Sequence, residues 1–228
     1  MLIRHSRLAA ATAALLVSLA STAGAQITLW DQSNYNLIGE GSLNHNANSC
    51  SQISGNTKLH TANDVHFAQP VHITSVTIYE TTGNVDAATL AYLWIAPKTG
   101  PMPTESIANI AILANQKPIT VAVDPNGPPG TRTVTASGLS INLPAGDYWV
   151  SLTPRHNIGL FPYTVHLITQ TVVGDPTPSL LGCVAPGTWQ YTLGGAVTPT
   201  PDYAMKIMGD YPVATMSASW AKVKSYYR

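Results

Sequence analysis

Short stretches in which apolar and polar residues alternate, separated by turn residues, recur along most of the chain. In VHITSVTIYETTG, for example, Val76 and Ile78 alternate with Thr77 and Tyr79, and DYWVSLTP repeats the pattern. A period of two residues with many Val, Ile, Thr and Tyr residues is typical of half-buried β-strands. The stretch ATLAYLWIAP is apolar at both alternating sets of positions, which predicts a central strand. The chain is therefore predicted to be an all-β sandwich or barrel.

Two stretches interrupt this pattern or leave it ambiguous. TESIANIAILANQ fits either a short helix capped by Thr104 or a strand with Ala108, Ile110 and Ile112 facing inward, and the strand is the preferred interpretation. Gly138 is predicted to break the stretch TRTVTASGLSINL. Since no internal repeat or linker is visible, residues 26–211 are expected to form one domain.

Residues 1–25 have the organisation of a secretory signal peptide. Arg4 and Arg7 precede an uncharged apolar run, and Ala23-Gly24-Ala25 fits a small-x-small cleavage site. The run is shorter than the about 20 apolar residues of a membrane span. We expect export through a cleaved signal peptide to the extracellular space or the cell surface, with the periplasm as an alternative, and no transmembrane segment in the mature chain.

The composition of the chain changes this picture only modestly. Charged residues make up 10% of the chain, and 11 cationic residues balance 11 acidic ones. Because cleavage removes Arg4 and Arg7, the mature chain is slightly acidic, which excludes strong attraction to nucleic acid. The two cysteines, Cys50 and Cys183, are expected to form a disulfide in an exported protein, with two free thiols as the alternative.

Four stretches together resemble a known family: HTANDVHFAQPVHITSVTIYE, LAYLWIAPKTGPMPTESIANI, LPAGDYWVSLTP and DYAMKIMGDY. Over about residues 57–211 they resemble secreted bacterial β-sandwich modules that are similar to jelly-roll carbohydrate-binding and adhesion domains. The resemblance implies a two-sheet antiparallel β-sandwich of the jelly-roll kind and an exported location. It implies no catalytic activity.

Motifs of the common catalytic sites are missing from the sequence. There is no G-x-S-x-G, H-E-x-x-H, P-loop or Rossmann glycine pattern, and most Asp residues lie in turn contexts such as VDPNG. We therefore expect a protein that is not an enzyme and has no cofactor. A structural Ca²⁺ ion is conceivable in a jelly-roll module, but no D-x-D-x-D-G loop supports it.

A candidate metal site lies in KLHTANDVHF. His60, Asp64 and His66 have the same parity, so one continuous strand places them on one face, where imidazole and carboxylate groups can hold a transition metal. However, Asn63-Asp64 is predicted to form a turn that breaks the strand. The alternative is a structural Asp flanked by surface histidines.

Aromatic residues on the predicted strands are candidates for stacking on sugars. The candidate ligand-binding residues are Tyr79, Trp94 and Trp149. Tyr79 and Trp149 alternate with apolar neighbours and share the polar side of their strands. The alternative is that these rings fill a second layer of packing, because large aromatic residues dominate β-protein cores.

The chain ends in a basic and aromatic segment, SASWAKVKSYYR, within a spacer and tail at residues 212–228. Pro212 cannot continue a strand, and Trp220, Val223 and Tyr227 have helical spacing. The tail is predicted to recognise an export or anchoring partner, and the alternative is that it docks on its own domain. The residues expected to carry recognition are Trp220, Lys222, Lys224, Tyr227 and Arg228.

Three functional hypotheses follow from the sequence. The first is a secreted non-catalytic module for cell-surface or matrix interaction. The second is a carbohydrate-binding, lectin-like module that binds a surface glycan. The third is a secreted hydrolase with an unrecognised site.

Overall fold

The structure is a computed structural model of the chain. The residues it describes are 26–35, 41–43, 46–47, 59–81, 88–110, 112–156, 165–167, 180–183, 189–191 and 202–212. The predicted signal peptide, Cys50 and the tail from residue 213 onward lie outside the described residues. Within the described ranges, no helix has the length and apolar character of a membrane-spanning segment.

The described chain is an all-β protein, as the alternation predicts. Its strands are β1 (Ile27–Asp31), β2 (Gly41–Leu43), β3 (Asn46–Ala47), β4 (Leu59–Phe67), β5 (Val71–Thr81), β6 (Leu90–Pro97), β7 (Gln116–Val123), β8 (Thr131–Leu143), β9 (Gly146–His156), β10 (Val165–Leu167), β11 (Leu180–Cys183), β12 (Trp189–Tyr191) and β13 (Met205–Asp210). The helical elements are a single α-helical turn at Ile107–Ile110 and a 3-10 turn at Leu113–Asn115.

Eight strands form an antiparallel sheet in the order β1-β13-β5-β8-β7-β6-β9-β4, and this sheet is nearly closed into a barrel. Strand β6 lies between β7 and β9, which confirms the prediction of a central strand. Strands β11 and β12 form an antiparallel pair that extends the sheet beyond β4, so part of the Pro- and Gly-rich segment around Cys183 is a strand.

The side chains that point inside the curled sheet form the main core. Val76 and Ile78 are fully buried there, which confirms the alternation read in β5. They pack with apolar side chains of β4, β6, β8, β9 and β13, so both halves of the sheet share one core. Burial of this apolar surface is the main favourable contribution to the folding free energy.

A side-chain amide links β4 to the segment that precedes β13. Asn63 of β4 donates from Nδ2 to the Tyr203 carbonyl at 2.7 Å and accepts from the Tyr203 N–H at 2.9 Å. Gln32, which follows β1, donates to the Asp202 carboxylate at 2.7 Å. Asn63 thus supplies the donor and acceptor that a neighbouring strand would have offered to Tyr203.

Two local predictions are wrong. Asn63-Asp64 is not a turn, because β4 runs unbroken from Leu59 to Phe67. Asn63 is buried in this strand and forms hydrogen bonds with Tyr203. The segment TESIANIAILANQ is not a strand. Its α-helical turn begins after Ser106, whose carbonyl accepts from the Ile110 N–H at 3.2 Å, and Ile110 is buried while Ile112 is exposed.

Gly138 does not end its strand but produces a bulge in it. The register of β8 against β5 passes from Ile73↔Ile141 to Ser75↔Ser137, so three residues of β8 lie opposite Thr74. Gly138 has a φ of 68°, in the left-handed region that favours glycine. A bulge of this kind bends the strand and re-aims the side chains beside it.

Candidate functional site

A cleft with a volume of about 580 Å³ opens on the outer face of the sheet, where β1 ends and β7 turns into β8. Strand alternation turns Tyr79 of β5 outward into this cleft, directly opposite Thr133 of β8. The lining residues are Ser33, Asn34, Tyr35, Tyr79, Asp124, Pro125, Asn126 and Thr133. We call this site the tyrosine cleft.

Two tyrosine rings lie side by side in the tyrosine cleft. The ring centroids of Tyr35 and Tyr79 are 5.2 Å apart, and the rings are inclined by 36°. Tyr35 is nearly buried, whereas Tyr79 is partly exposed. The pair therefore offers an aromatic surface framed by hydroxyl, amide and carboxylate groups.

A tight turn after β7 fixes the position of Tyr35. The Asp124 carboxylate accepts from the Asn126 N–H at 3.0 Å through Oδ1 and from the Tyr35 hydroxyl at 2.5 Å through Oδ2. A Cβ atom at Gly127 would overlap the Tyr35 hydroxyl oxygen and lie 2.9 Å from Cβ of Thr131, so a larger residue here would displace the phenol. The turn therefore fixes the orientation of the Tyr35 side chain.

Both phenols of the tyrosine cleft stay neutral at physiological pH. Burial raises the pKa of Tyr35, and the hydrogen bond to Asp124 and its charge raise it further. Burial also raises the pKa of Tyr79, although the hydrogen bond with Ser33 opposes this shift. The hydroxyl of Tyr35 is therefore a permanent donor to Asp124.

An ion pair supports the β1 side of the cleft. Asp31 accepts from the backbone N–H and the hydroxyl of Ser33, at 2.9 and 2.5 Å, and its other oxygen lies 3.1 Å from Lys206 Nζ. Burial acts to raise the pKa of Asp31, but the Ser33 hydrogen bonds and the Lys206 ammonium outweigh it, so the pKa is lowered. Lys206 thus balances Asp31, and Asp124 is the acidic residue of the lining.

The predicted Trp94 and Trp149 lie elsewhere, on the outer face of β6 and β9, where Trp189 of β12 packs against them. Trp94, Trp149 and Trp189 are each buried to at least nine tenths. Trp94 stacks on Trp189 with ring centroids 5.9 Å apart, and the Trp189 indole N–H donates to the Glu105 carbonyl at 2.9 Å. Ile110 of the helical turn packs against the same cluster. We call this cluster the tryptophan layer, and it is packed protein interior.

A buried ion pair lies at the edge of the tryptophan layer. Lys98 Nζ is 3.0 Å from Asp64 Oδ2, and it also lies 5.2 Å from the centre of the Trp149 ring. The register of β4 against β9 places Asp64 directly opposite Trp149. The ammonium group therefore interacts with a carboxylate and an aromatic face at once.

The structure does not bring His60, Asp64 and His66 together as one ligand set. His60 is buried, with its ring 6.2 Å from that of Tyr92, and Asp64 pairs with Lys98. His66 is exposed, and its Nδ1 lies 2.7 Å from Asp147 Oδ1. Within the described ranges, no three His, Cys, Asp or Glu side chains are grouped so that they could hold a metal ion.

Two further sets of predicted site residues stay untested. Cys183 ends β11, opposite Leu59 of β4, but Cys50 lies outside the described residues. The disulfide therefore stays a prediction. The tail residues Trp220, Lys222, Lys224, Tyr227 and Arg228 lie outside the described residues as well.

The sequence predicts the outward direction of Tyr79 in the tyrosine cleft but does not indicate its neighbours Tyr35 and Asp124. Tyr79 was found because alternation in β5 shows its direction. Tyr35 lies in an Asn-rich stretch without periodicity, and the context VDPNG indicates only a turn for Asp124. The two lie 89 positions apart, and no local signal indicates that they meet.

Comparisons of the chain with protein-family models, with curated proteins and with solved structures found no match.

Proposed function

We propose that the protein is an exported binding module that holds a carbohydrate of a cell surface or matrix in the tyrosine cleft. The observation that carries the proposal is the pair of adjacent rings, Tyr35 and Tyr79, in an open cleft with polar walls. The proposal joins the first two hypotheses from the sequence, because a glycan is the surface component that such a cleft fits.

The chemistry of the lining favours a sugar over a purely apolar ligand. A pyranose has one face of C–H groups that packs against an aromatic ring and a rim of hydroxyl groups that need partners. Tyr79 offers the ring, while Asn34, Asn126 and Thr133 offer amide and hydroxyl groups that both donate and accept. Binding sites of this kind combine aromatic walls with a few placed polar groups.

The same lining supports binding rather than glycoside hydrolysis in this cleft. Hydrolysis of a glycosidic bond uses two carboxyl groups that flank it. The lining includes one acidic residue, Asp124, and both of its oxygens already accept hydrogen bonds from the protein.

We further propose that the nearly closed sheet is a jelly-roll-like β-sandwich. Support comes from β7, whose first three residues pair with β6 while its last five pair with β8. A strand that changes partners in this way marks the corner between two sheets. Export and retention through the C-terminal tail complete the proposal, and both rest on the sequence.

The test is glycan binding by the mature chain, first on a glycan array and then by calorimetry with the best oligosaccharide. Tyr79→Ala is expected to weaken binding at least tenfold, which corresponds to about 1.4 kcal/mol. Tyr211→Ala is the matched control, because Tyr211 is also exposed but lies outside the lining. Equal binding by both variants, or no glycan bound by the unmodified chain, would contradict the proposal.

A further inference from the structure

Three side chains from neighbouring strands form a hydrogen-bonded chain on the outer face, away from the tyrosine cleft. His72 Nδ1 lies 3.1 Å from Asp210 Oδ2, and His72 Nε2 lies 3.2 Å from Ser140 Oγ. His72 and Tyr79 are on the same strand, seven residues or about 23 Å apart at a rise of 3.3 Å per residue. This cluster is therefore separate from the tyrosine cleft.

Strand register and the bulge of β8 bring the three groups together. Asp210 of β13 pairs directly with His72 of β5, so their side chains share a face. On the other side, His72 pairs with Asn142, and Ser140 lies two residues before it on the same strand. The bulge that contains Gly138 directly precedes this point and bends β8, which is how a bulge re-aims a neighbouring side chain.

We infer that Ser140, His72 and Asp210 form an acyl-transfer site that acts on esters. The order of contacts, carboxylate to Nδ1 and Nε2 to hydroxyl, is the order that serine hydrolases need, and such sites are recognised by geometry on unrelated folds. Ser140 is the nucleophile and His72 is the general base. Asp210 is a positioning residue, because it acts on the substrate only through His72.

The reaction balances with an ester and water as the only reactants. Ser140 Oγ attacks the ester carbonyl carbon while His72 Nε2 takes the hydroxyl proton. The bond to the leaving oxygen then breaks, and His72 returns the proton to the leaving alcohol. Water, deprotonated by His72, attacks the acyl-serine and releases the carboxylic acid and the free Ser140 hydroxyl.

The surroundings of Ser140 leave room for a substrate. Ser140 is exposed, and a Cβ atom placed on Gly138 would meet no heavy atom within 4 Å. Among the described residues, β8 pairs with β7 only up to Ala136, so no described strand pairs with the bulge on that side. In the proposed site, a backbone N–H group on this side of the bulge donates to the developing oxyanion. An open site of this kind suits an ester carried on a large molecule.

A serine-directed fluorophosphonate probe tests this inference on the mature chain. Peptide mapping is expected to place the adduct on Ser140, and Ser140→Ala is expected to abolish it. His72→Gln is expected to slow labelling and the hydrolysis of p-nitrophenyl butyrate at least 100-fold, since general base catalysis contributes about 10²- to 10⁴-fold. Ser137→Ala is the matched control, because Ser137 is an exposed serine on the same strand, and it should label normally.

Asp210 needs a separate readout, because a structural role would also lower activity. Asp210→Asn is expected to slow labelling while Asp210→Glu restores part of the rate, with equal melting temperatures for both variants. An unlabelled wild-type chain, an adduct on another serine, or equal labelling of the wild type and a folded His72→Gln variant would overturn the inference. The wild-type result decides alone if His72→Gln does not fold.

Discussion

The tyrosine cleft and the tryptophan layer are built on outer faces of the same curled sheet, yet one is open and the other is covered. Tyr79 points outward from β5 and meets a cleft, whereas Trp149 points outward from β9 and meets a second layer of protein. The alternation of the two strands is the same. What differs is the chain that folds over them, because the helical turn at Ile107–Ile110 and strand β12 cover the tryptophans.

This difference separates the two clusters. The tryptophan layer is packed interior that stabilises the domain, and the tyrosine cleft is the proposed binding site. Substitutions in the first should change the free energy of unfolding, and substitutions in the second should change binding at nearly constant stability.

The largest effect is expected from Trp149→Ala. Truncation of a fully buried Trp removes apolar contacts and leaves a cavity, which costs about 3–5 kcal/mol. Urea unfolding of the wild type and of Trp149→Ala measures the loss in the free energy of unfolding. Val123→Ala is the control, because Val123 is mostly exposed and its truncation should change stability by about 0.5 kcal/mol or less. Equal losses for the two variants would contradict the distinction between the tryptophan layer and the exposed surface.

Lys98→Met should destabilise the same layer by a different mechanism. The substitution leaves the buried Asp64 carboxylate without its ammonium partner, which costs about 3 kcal/mol. The double variant Lys98→Met/Asp64→Leu should regain most of this loss, because no charge then remains buried. A double variant that is as unstable as the two single losses combined would show that the ion pair is not the cause.

The smallest effect should come from Asp31, beside the tyrosine cleft. Its pKa is lowered in the folded protein, so its contribution to stability is present above the unfolded pKa of about 4 and is lost as the pH falls through the folded pKa. Because both partners of the Asp31–Lys206 pair are about a third exposed, the contribution stays below about 1 kcal/mol. Urea midpoints between pH 5 and pH 3 measure it. Asp31→Asn should flatten this part of the profile, and an unchanged slope would contradict the assignment.

The strands could be predicted because their signal is local. Alternation in β5 and the apolar run of β6 reflect contacts of neighbouring residues with one core. The same alternation misled for β9, where Ser151 and Thr153 read as solvent-facing but are buried. Whether an outward face meets water depends on segments distant in the sequence, and no short window contains that information.

The candidate site shows the same limit. Tyr79 was accessible to sequence reasoning because its direction follows from strand parity. Its partners Tyr35 and Asp124 come from loops, where side-chain direction follows no period. The sequence does not predict the cluster of Ser140, His72 and Asp210 for a related reason. Its residues come from three strands and meet only through strand register and a bulge.

Hydroxyl-radical footprinting of the mature chain, with and without a bound oligosaccharide, tests whether the tyrosine cleft is the open binding site and the tryptophan layer is covered. It reports the solvent exposure of tyrosine and tryptophan side chains in one experiment. We expect Tyr79 to be oxidised in the free protein and protected by the sugar, while Trp94 and Trp149 stay unmodified in both samples. Oxidation of Trp94 and Trp149 in the free protein, with protection by the sugar and no change at Tyr79, would contradict this expectation.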